Sequence, residues 1–378
     1  MARLLGARPL VWIGDLSYSW YLWHWPLIVF AVALWPGAGW PAPTLAALSL
    51  VPAWLSYQFV ENPIRFNPKI TGRAVLAIAA VCISVPIVAC LGLLGATHDL
   101  ARTDAFRDYR ESQTPPLASY SCATARDACS RSVPKRTVVL IGDSNAGQFG
   151  EPVLRAAERA GFGATLISYG ACPFANLRVV RRNRPFPRHQ IAACRTSYIQ
   201  DLHALVRSRP NLVITAARTD RYIDDHTFGL GQPGGGAITY ATKVKGSLWS
   251  QGLASTLRAL SAARIPVVIV QPVPVVQPIS VDECASIRIL ANSCNGSASR
   301  SSVARYLEPS VTADNRAVAA APGPVTAVDF RDQLCSSNRC PSRRGDIVLY
   351  LDRYHLSVPA ALELTDAFYR VILARARR

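Results

Sequence analysis

The sequence predicts an α/β fold, an open parallel sheet covered by helices, preceded by about three transmembrane helices. Three features point there. Charge is unevenly spread: residues 1–97 hold five Lys/Arg and two Asp/Glu, which leaves 36 basic and 22 acidic residues to the rest of the 378-residue chain. After residue 134, short continuous apolar runs alternate with longer mixed ones, the pattern of strands buried on both faces and joined by helices. Eight of the ten cysteines fall in the charged region as sequence-local pairs. At 50% hydrophobic residues, a disordered or low-complexity chain is excluded.

Three segments have the length a bilayer crossing needs, about 20 residues: Val11–Trp35, Pro43–Val60 and Ala74–Ala96. The third is free of charge. The first carries Trp20, Tyr21, Trp23 and Trp25, whose amphipathic rings suit a headgroup interface, and the second is shorter and contains Pro52. A secretory signal peptide fits poorly, because two apolar segments follow and no small-residue cleavage site closes the first. Arg3 and Arg8 precede span one, Arg65, Lys69 and Arg73 join spans two and three, and the loop around Pro36–Pro41 has no basic residue. The positive-inside bias therefore puts the N-terminus and the second loop in the cytoplasm, and everything after about His98 outside the cytoplasmic membrane. The expected organisation is a membrane region over 1–97, a stem over 98–134 and a soluble domain over 135–378.

Cysteine usage bears on the compartment independently. Cys82 and Cys90 lie in the third span, and the others pair by proximity as Cys122–Cys129, Cys172–Cys194, Cys284–Cys294 and Cys335–Cys340. Eight cysteines allow roughly a hundred connectivities, so proximity alone selects these four. Clustered C-x-x-C or Cys/His spacing is absent, so disulfides in an oxidising compartment are expected and no metal site.

The expected strands are TVVLIG from Thr137, ATLISY from Ala164, NLVITAA from Asn211, PVVIVQP from Pro266 and TAVDF from Thr326. Helices fit between them near Gly147–Ala160, Gln190–Ser208, Leu248–Arg264, Arg300–Ala320 and Pro359–Arg375. Gly229–Ala237 reads as a flexible surface loop on composition. No internal repeat is visible.

Ligands of open α/β sheets bind beyond the carboxyl ends of the strands. The first strand ends in Gly142-Asp143-Ser144-Asn145, where a helix begins. A serine there is exposed at the sheet edge, and the adjacent amides and helix N-terminus favour a developing negative charge. Asp143, Ser144 and Asn145 are equally the residue types that simply cap a helix. A phosphate loop is excluded, since no Gly-Lys-Ser/Thr follows. Near the C-terminus, Asp352-Arg353-Tyr354-His355 precedes the final helix, and the three-residue offset can bring Asp352 onto the imidazole that faces a nucleophile. Carboxylate, imidazole and hydroxyl are the inventory of acyl transfer: the serine needs the base and the base needs an orienter.

Gly142-Asp143-Ser144 early in the domain and Asp352-x-x-His355 late in it resemble the first and last blocks of the SGNH (GDSL-like) hydrolase superfamily. That resemblance implies a flavodoxin-like three-layer α/β/α sandwich with Ser144 as nucleophile, His355 as general base and Asp352 as orienter. It further implies an oxyanion hole from the Ser144 amide, the amide of Gly170 in Ser168-Tyr169-Gly170-Ala171-Cys172-Pro173, and an asparagine after the third strand. The asparagine is not matched. Thr215-Ala216-Ala217-Arg218-Thr219-Asp220 stands there, with Arg218 as the candidate donor.

In the membrane part, Asp15-Leu16-Ser17-Tyr18-Ser19-Trp20-Tyr21-Leu22-Trp23-His24-Trp25-Pro26 and Phe59-Val60-Glu61-Asn62-Pro63-Ile64-Arg65 look like the last two helices of the membrane acyltransferase family three proteins. Fusions of that membrane domain to an extracytoplasmic SGNH domain O-acetylate bacterial surface glycans. The chain is similar to the C-terminal portion of such a fusion; the family's membrane domain has many more spans and an essential histidine near its start, to which His24, an interfacial histidine in an aromatic belt, does not correspond. The resemblance implies a membrane-anchored SGNH acyltransferase that O-acetylates cell-envelope glycans through an acyl-serine. No cofactor is bound directly, and acetyl-CoA is the acetyl donor through a membrane acyltransferase half, either a separate subunit or the missing part of a truncated gene product. An extracytoplasmic carbohydrate acetylesterase and a non-catalytic glycan- or partner-binding domain are the alternatives. Arg178, Arg181, Arg182, Arg184 and Arg188 crowd the segment between Cys172 and Cys194. They form either a solvated loop or a surface for an anionic glycan or the lipid bilayer. Nucleic acid is not expected as a partner, for lack of a base-stacking motif in an extracytoplasmic domain.

Overall fold

The computed structural model of the chain describes residues 8–35, 38–68, 70–100, 102–114, 130–131, 136–182, 188–276, 295–352 and 354–376. Cys122, Cys129, Cys284 and Cys294, with the two pairings expected of them, lie outside the described residues. The chain divides into a first unit that reaches Arg107 and a second that begins at Asp108.

The first unit opens with α1 (Arg8–Leu34). A helical run follows, made of α2 (Pro41–Leu48), α3 (Leu50–Ser56), one π-helical turn at Tyr57–Glu61, and α4 (Asn62–Arg65). Small residues let the two helical stretches approach: Ser19 and Ala31 of α1, and Ser49 and Ala53 opposite them, are buried. Two polar bonds tie the pair, from Ser19 Oγ to Glu61 Oε2 at 2.8 Å and from Trp20 Nε1 to Ser49 Oγ at 2.8 Å. α5 (Arg73–Leu100) carries its apolar side chains outward, Leu76, Val88 and Leu93 among them. Among the described residues it is the one helix that passes on both length and apolarity as a bilayer crossing, over Arg73–Ala96. Three such spans were expected. α1 is as long, but Asp15, His24 and its Tyr and Trp residues dilute its apolar character.

The second unit is built on a parallel five-stranded sheet. Its strands, with one short addition, are β1 (Ser130–Arg131), β2 (Thr137–Gly142), β3 (Gly163–Ser168), β5 (Leu212–Ala216), β7 (Val267–Val270) and β9 (Val325–Val328), while β4 (Arg178–Arg181), β6 (Phe228–Gly231) and β8 (Ser297–Ser299) lie outside this sheet. The order is β1-β3-β2-β5-β7-β9, with β1 antiparallel and the rest parallel. The chain thus leaves β2 toward β3 and later returns to its other side at β5, which makes the carboxyl end of β2 the topological switch point. Alternation along β2 supplies two cores. Val138 and Leu140 pack with Phe149, Val153 and Phe368, whereas Val139 and Ile141 pack with Leu253, Leu257 and Ile269.

All five expected strands form within a residue or two of their expected ends. The differences lie where composition speaks weakly. Gly229–Ala237 is not a loop throughout, because β6 pairs antiparallel with β4, and a Cβ at Gly229 or Gly231 would come within 2.4 and 2.7 Å of the Ile238 side chain. Glycine is there for close packing. The expected stem is also not all tether: Asp108 pairs with Arg343 at 2.5 Å and Gln113 Nε2 donates to the Leu351 carbonyl at 3.1 Å.

Gly142 is the tightest point of the switch. A Cβ there would sit 2.0 Å from the Ala216 carbonyl oxygen at the end of β5. Backbone cannot yield as a flexible side chain would, so Gly142→Ala should cost about 3 kcal/mol or more and lower the thermal midpoint of the detergent-solubilised chain by about 6 °C or more; an unchanged midpoint would contradict this packing.

Candidate active site

Ser144 opens a five-residue helix, α6 (Ser144–Gln148), directly after β2. Asp143 is its cap: the carboxylate accepts from Asn145 N at 2.8 Å. Every other residue from Ile141 to Gly150 is buried, and Ser144 alone is half-buried. The capping and the nucleophilic readings of this turn therefore fall on different residues.

The C-terminal block folds back on the serine. His355 Nε2 lies 2.8 Å from Ser144 Oγ and His355 Nδ1 lies 2.7 Å from Asp352 Oδ2. Burial would raise the Asp352 carboxyl, but the hydrogen bond and charge of His355, with the amides of Tyr354 and His355 at 2.6 and 2.8 Å, outweigh it and hold the group below the usual carboxylate range. An ionised carboxylate only accepts, so the proton of the imidazole sits on Nδ1, and Nε2 is left to accept from the serine hydroxyl. In this arrangement a hydroxyl proton can pass to the imidazole as Oγ bonds to an acyl carbon.

Two buried side chains hold the histidine loop from either side. Gln148, four residues beyond Ser144 on the same helix, accepts from Leu356 N at 2.7 Å and donates to Asn145 Oδ1 at 2.7 Å. Arg218 Nη1 donates to the Tyr354 carbonyl at 2.7 Å. The rest of the Arg218 guanidinium pairs with the fully buried Asp220, and the Arg218 amide donates to Asp143 Oδ2 at 3.0 Å. The side chain proposed from the sequence as a third oxyanion donor is thus engaged elsewhere, as a bracket between the serine turn and the histidine loop. The physical reason is charge burial: a guanidinium 3% exposed beside a buried carboxylate is held by it. Gly170 follows β3, is exposed, and has nothing within 4 Å of where a Cβ would be. Next to it Ala171 takes a left-handed φ of 58°. Cys172 is bonded to Cys194, and Cys335 to Cys340. Among the described residues no group of three His, Cys, Asp or Glu side chains has the placement to hold a metal.

Sequence reasoning missed Gln148, Tyr222 and the bracketing role of Arg218. Tyr222 OH donates to Asp143 Oδ2 at 2.8 Å. Gln148 and Tyr222 each stand four residues along a helix from a singled-out residue, Ser144 and Arg218, and that spacing was the available signal.

Residues 111–370 match the family model described as the SGNH domain fused to AT3 domains. The chain belongs to that family. The SGNH match takes in Ser144, Gly170, Arg218, Asp352 and His355. The chain is 28% identical over 159 residues to the O-acetyltransferase OatA of Staphylococcus aureus strain NCTC 8325, a stretch covering 38% of this chain and 26% of the relative. It is 37% identical over 71 residues to the peptidoglycan O-acetyltransferase OatA of Listeria monocytogenes, covering 18% and 11%. The chain therefore spans about a quarter, or less, of the length of these relatives. Among solved structures, the periplasmic domain of a lipopolysaccharide acetyltransferase from Salmonella ser. Paratyphi A aligns with a TM-score of 0.45 and 14% identity, over 72% of this chain and 98% of that one.

One more buried carboxyl adjoins the bracket. Asp314 accepts from Trp249 Nε1 at 2.8 Å and Thr219 Oγ1 at 3.3 Å, and burial pushes it up to about 7. The folded state keeps a proton that the unfolded chain releases above its ordinary pKa of 3.8. The folded state thus loses stability as pH rises from about 4 to about 7, by up to about 4 kcal/mol. Asp314→Asn should flatten that part of the stability profile, as read by denaturant unfolding at pH 4.5 and 7.5.

Proposed function

We propose that this chain is a membrane-anchored SGNH O-acyltransferase that takes part in O-acetylation of cell-envelope glycans through an acyl-serine intermediate. The observation that carries the reading is the continuous line Asp352–His355–Ser144, with both contacts below 3 Å. Ser144 Oγ attacks the acyl carbonyl of the donor while His355 Nε2 takes the hydroxyl proton. The proton then goes to the departing group as its bond to the acyl carbon breaks. In this reading the amides of Ser144 and Gly170 donate to the oxyanion, and Asp352 steadies the imidazolium. In the second half a sugar hydroxyl attacks the acyl-serine, His355 takes its proton and returns it to Ser144 Oγ, and the O-acetyl sugar leaves. Water in place of the sugar makes the domain an acetylesterase, a second reading favoured by the exposure of the His355 and Asp352 side chains, 20% and 34%.

The donor in this reading is acetyl-CoA, acting through a membrane acyltransferase half. The names of the OatA relatives support O-acetyl transfer, and the Listeria relative supports an envelope glycan as acceptor. Mutating Ser144→Ala or His355→Ala should lower hydrolysis of a small acetyl ester by several orders of magnitude, and Asp352→Asn by less, since serine and base act as a unit. Equal rates for wild type and Ser144→Ala would refute the enzyme reading.

For topology, we infer three spans formed by α1, the helical run Pro41–Arg65 and α5, with a membrane region over 1–97, a stem over 98–134 and the SGNH domain over 135–378 outside the cytoplasmic membrane. Arg65, Lys69 and Arg73 support a cytoplasmic second loop, and the disulfides Cys172–Cys194 and Cys335–Cys340 support an oxidising compartment for the domain. With Cys82 and Cys90 replaced by Ser, a membrane-impermeant thiol reagent on intact cells should label Gly234→Cys and spare Asn67→Cys. The reverse pattern would defeat the envelope assignment.

A further inference from the structure

The second unit begins at Asp108, and its first residues reach the loop that carries Asp352 and His355. They are the end of the helix Asp104–Ser112, whose buried side is largely polar. Asp108 and Ser112, one turn apart, are 6% and 1% exposed, and Gln113 just beyond them is half-buried. Tyr109 packs against the core cluster that contains Leu349, Tyr350 and Leu356. Buried polar side chains are held by directional bonds, so such a face docks in one register where an apolar face slides.

That register is set on both sides of the short antiparallel pair Arg343–Arg344 and Ile347–Val348. Before it, Arg343 Nη2 donates to Asp108 Oδ2 at 2.5 Å. After it, Gln113 Nε2 donates to the Leu351 carbonyl at 3.1 Å, while the Leu351 amide donates to the His355 carbonyl at 2.9 Å. The carbonyl that Gln113 holds belongs to the peptide unit joining Leu351 to Asp352. This unit is planar, so the direction of its carbonyl fixes the plane from which the Asp352 side chain departs. Asp352 Oδ1 then accepts from the amides of Tyr354 and His355, and Oδ2 lies 2.7 Å from His355 Nδ1. The clamps from Arg218 and Gln148 grip the chain after Asp352, at Tyr354 and Leu356, whereas Gln113 grips it ahead of Asp352.

We propose that Gln113 is a positioning residue: acting through the Leu351 carbonyl, it aims the Asp352 carboxylate at His355 Nδ1, which makes the end of the stem helix part of the support of the site. An imidazole whose Nδ1 proton is not held turns or changes tautomer, and Nε2 then no longer accepts from Ser144. The consequence for turnover rests on the acyl-transfer reading. The aim of the carboxylate stands apart from it.

Steady-state hydrolysis of a small acetyl ester by the full chain in neutral detergent is the first measurement. Gln113→Met, of similar length and without a donor, should lower kcat about tenfold to a hundredfold, the effect of a slightly misplaced catalytic group. It should leave KM within about twofold, because Gln113 does not touch the ester. In the Asp352→Asn background the same substitution should have little further effect, since residues that act through one bond are non-additive. The second measurement is the His355 Nδ1–H resonance in chain made with isotope-labelled histidine, assigned by its absence in His355→Ala. The bond to Asp352 holds this proton downfield and in slow exchange, and Gln113→Met should shift it upfield or broaden it whether or not the serine turns over. Gln113→Glu, close in shape but with only acceptors toward the carbonyl, should act the same way and serves if the methionine variant fails to fold. An unmoved resonance in a folded variant overturns the proposal. So does, where hydrolysis depends on Ser144, a kcat that stays at the wild-type value or that falls as far again in the Asp352→Asn background. A resonance that moves in Gln113→Met while Ser144→Ala hydrolyses the ester as fast as wild type would instead sink the acyl-transfer reading and leave the positioning of Asp352 standing.

Discussion

A buried carboxylate at the end of β2 organises the functional end of this domain. Asp143 is 1% exposed, and its desolvation raises its pKa and would cost several kcal/mol if uncompensated. Three donors from different places compensate it: Asn145 N within the serine turn, Arg218 N at the end of β5, and Tyr222 OH on the following helix. The carboxylate therefore joins the two strand ends on either side of the switch point. With Gly142 pressed against the Ala216 carbonyl, the geometry leaves little freedom in where Ser144 emerges.

From that anchor the restraint spreads to a loop more than two hundred residues away in sequence. Arg218, whose amide serves Asp143, spends its guanidinium on Asp220 and on the Tyr354 carbonyl. Gln148 reaches the Leu356 amide from the serine helix. His355 sits between these two clamps, and Leu351 N donates to its carbonyl at 2.9 Å. Because each clamp bonds backbone, it fixes the position of the imidazole while leaving both ring nitrogens to Asp352 and Ser144. Removing the Arg218 charge would strand Asp220 in the interior, at a cost of about 3–5 kcal/mol. Stability and site geometry are in this sense carried by the same side chains.

The Gly170 side of the serine is built differently. There a disulfide, with the bond from Arg195 Nη1 to Asn176 Oδ1 at 2.5 Å, ties the loop after β3 to a helix that begins at Arg188. This leaves Gly170 exposed and a cavity between the loop, β4 and the helix. The histidine side is held by hydrogen bonds, and Gly170 on the other side is exposed.

The sequence by itself determined the parallel strands, because short continuous Val, Ile and Leu runs bounded by turn residues suit a sheet covered on both faces, and it determined the pair of blocks that meet as Ser144, His355 and Asp352, because that inventory has a known chemistry. It also singled out Cys172 with Cys194 and Cys335 with Cys340 through proximity in the chain. What only the tertiary structure decided is where long polar side chains spend their hydrogen bonds. Arg218 reads from sequence as a free donor, yet it is a bracket, since its partners Asp220, Tyr354 and Asp143 come together only when β5, the histidine loop and the serine turn converge. The same holds for Gly229 and Gly231, which compositional reading assigns to a loop and packing assigns to a strand under Ile238. Local patterns report what a segment does with its own neighbours, whereas a guanidinium or a bare Cα takes its meaning from whatever the fold presses against it.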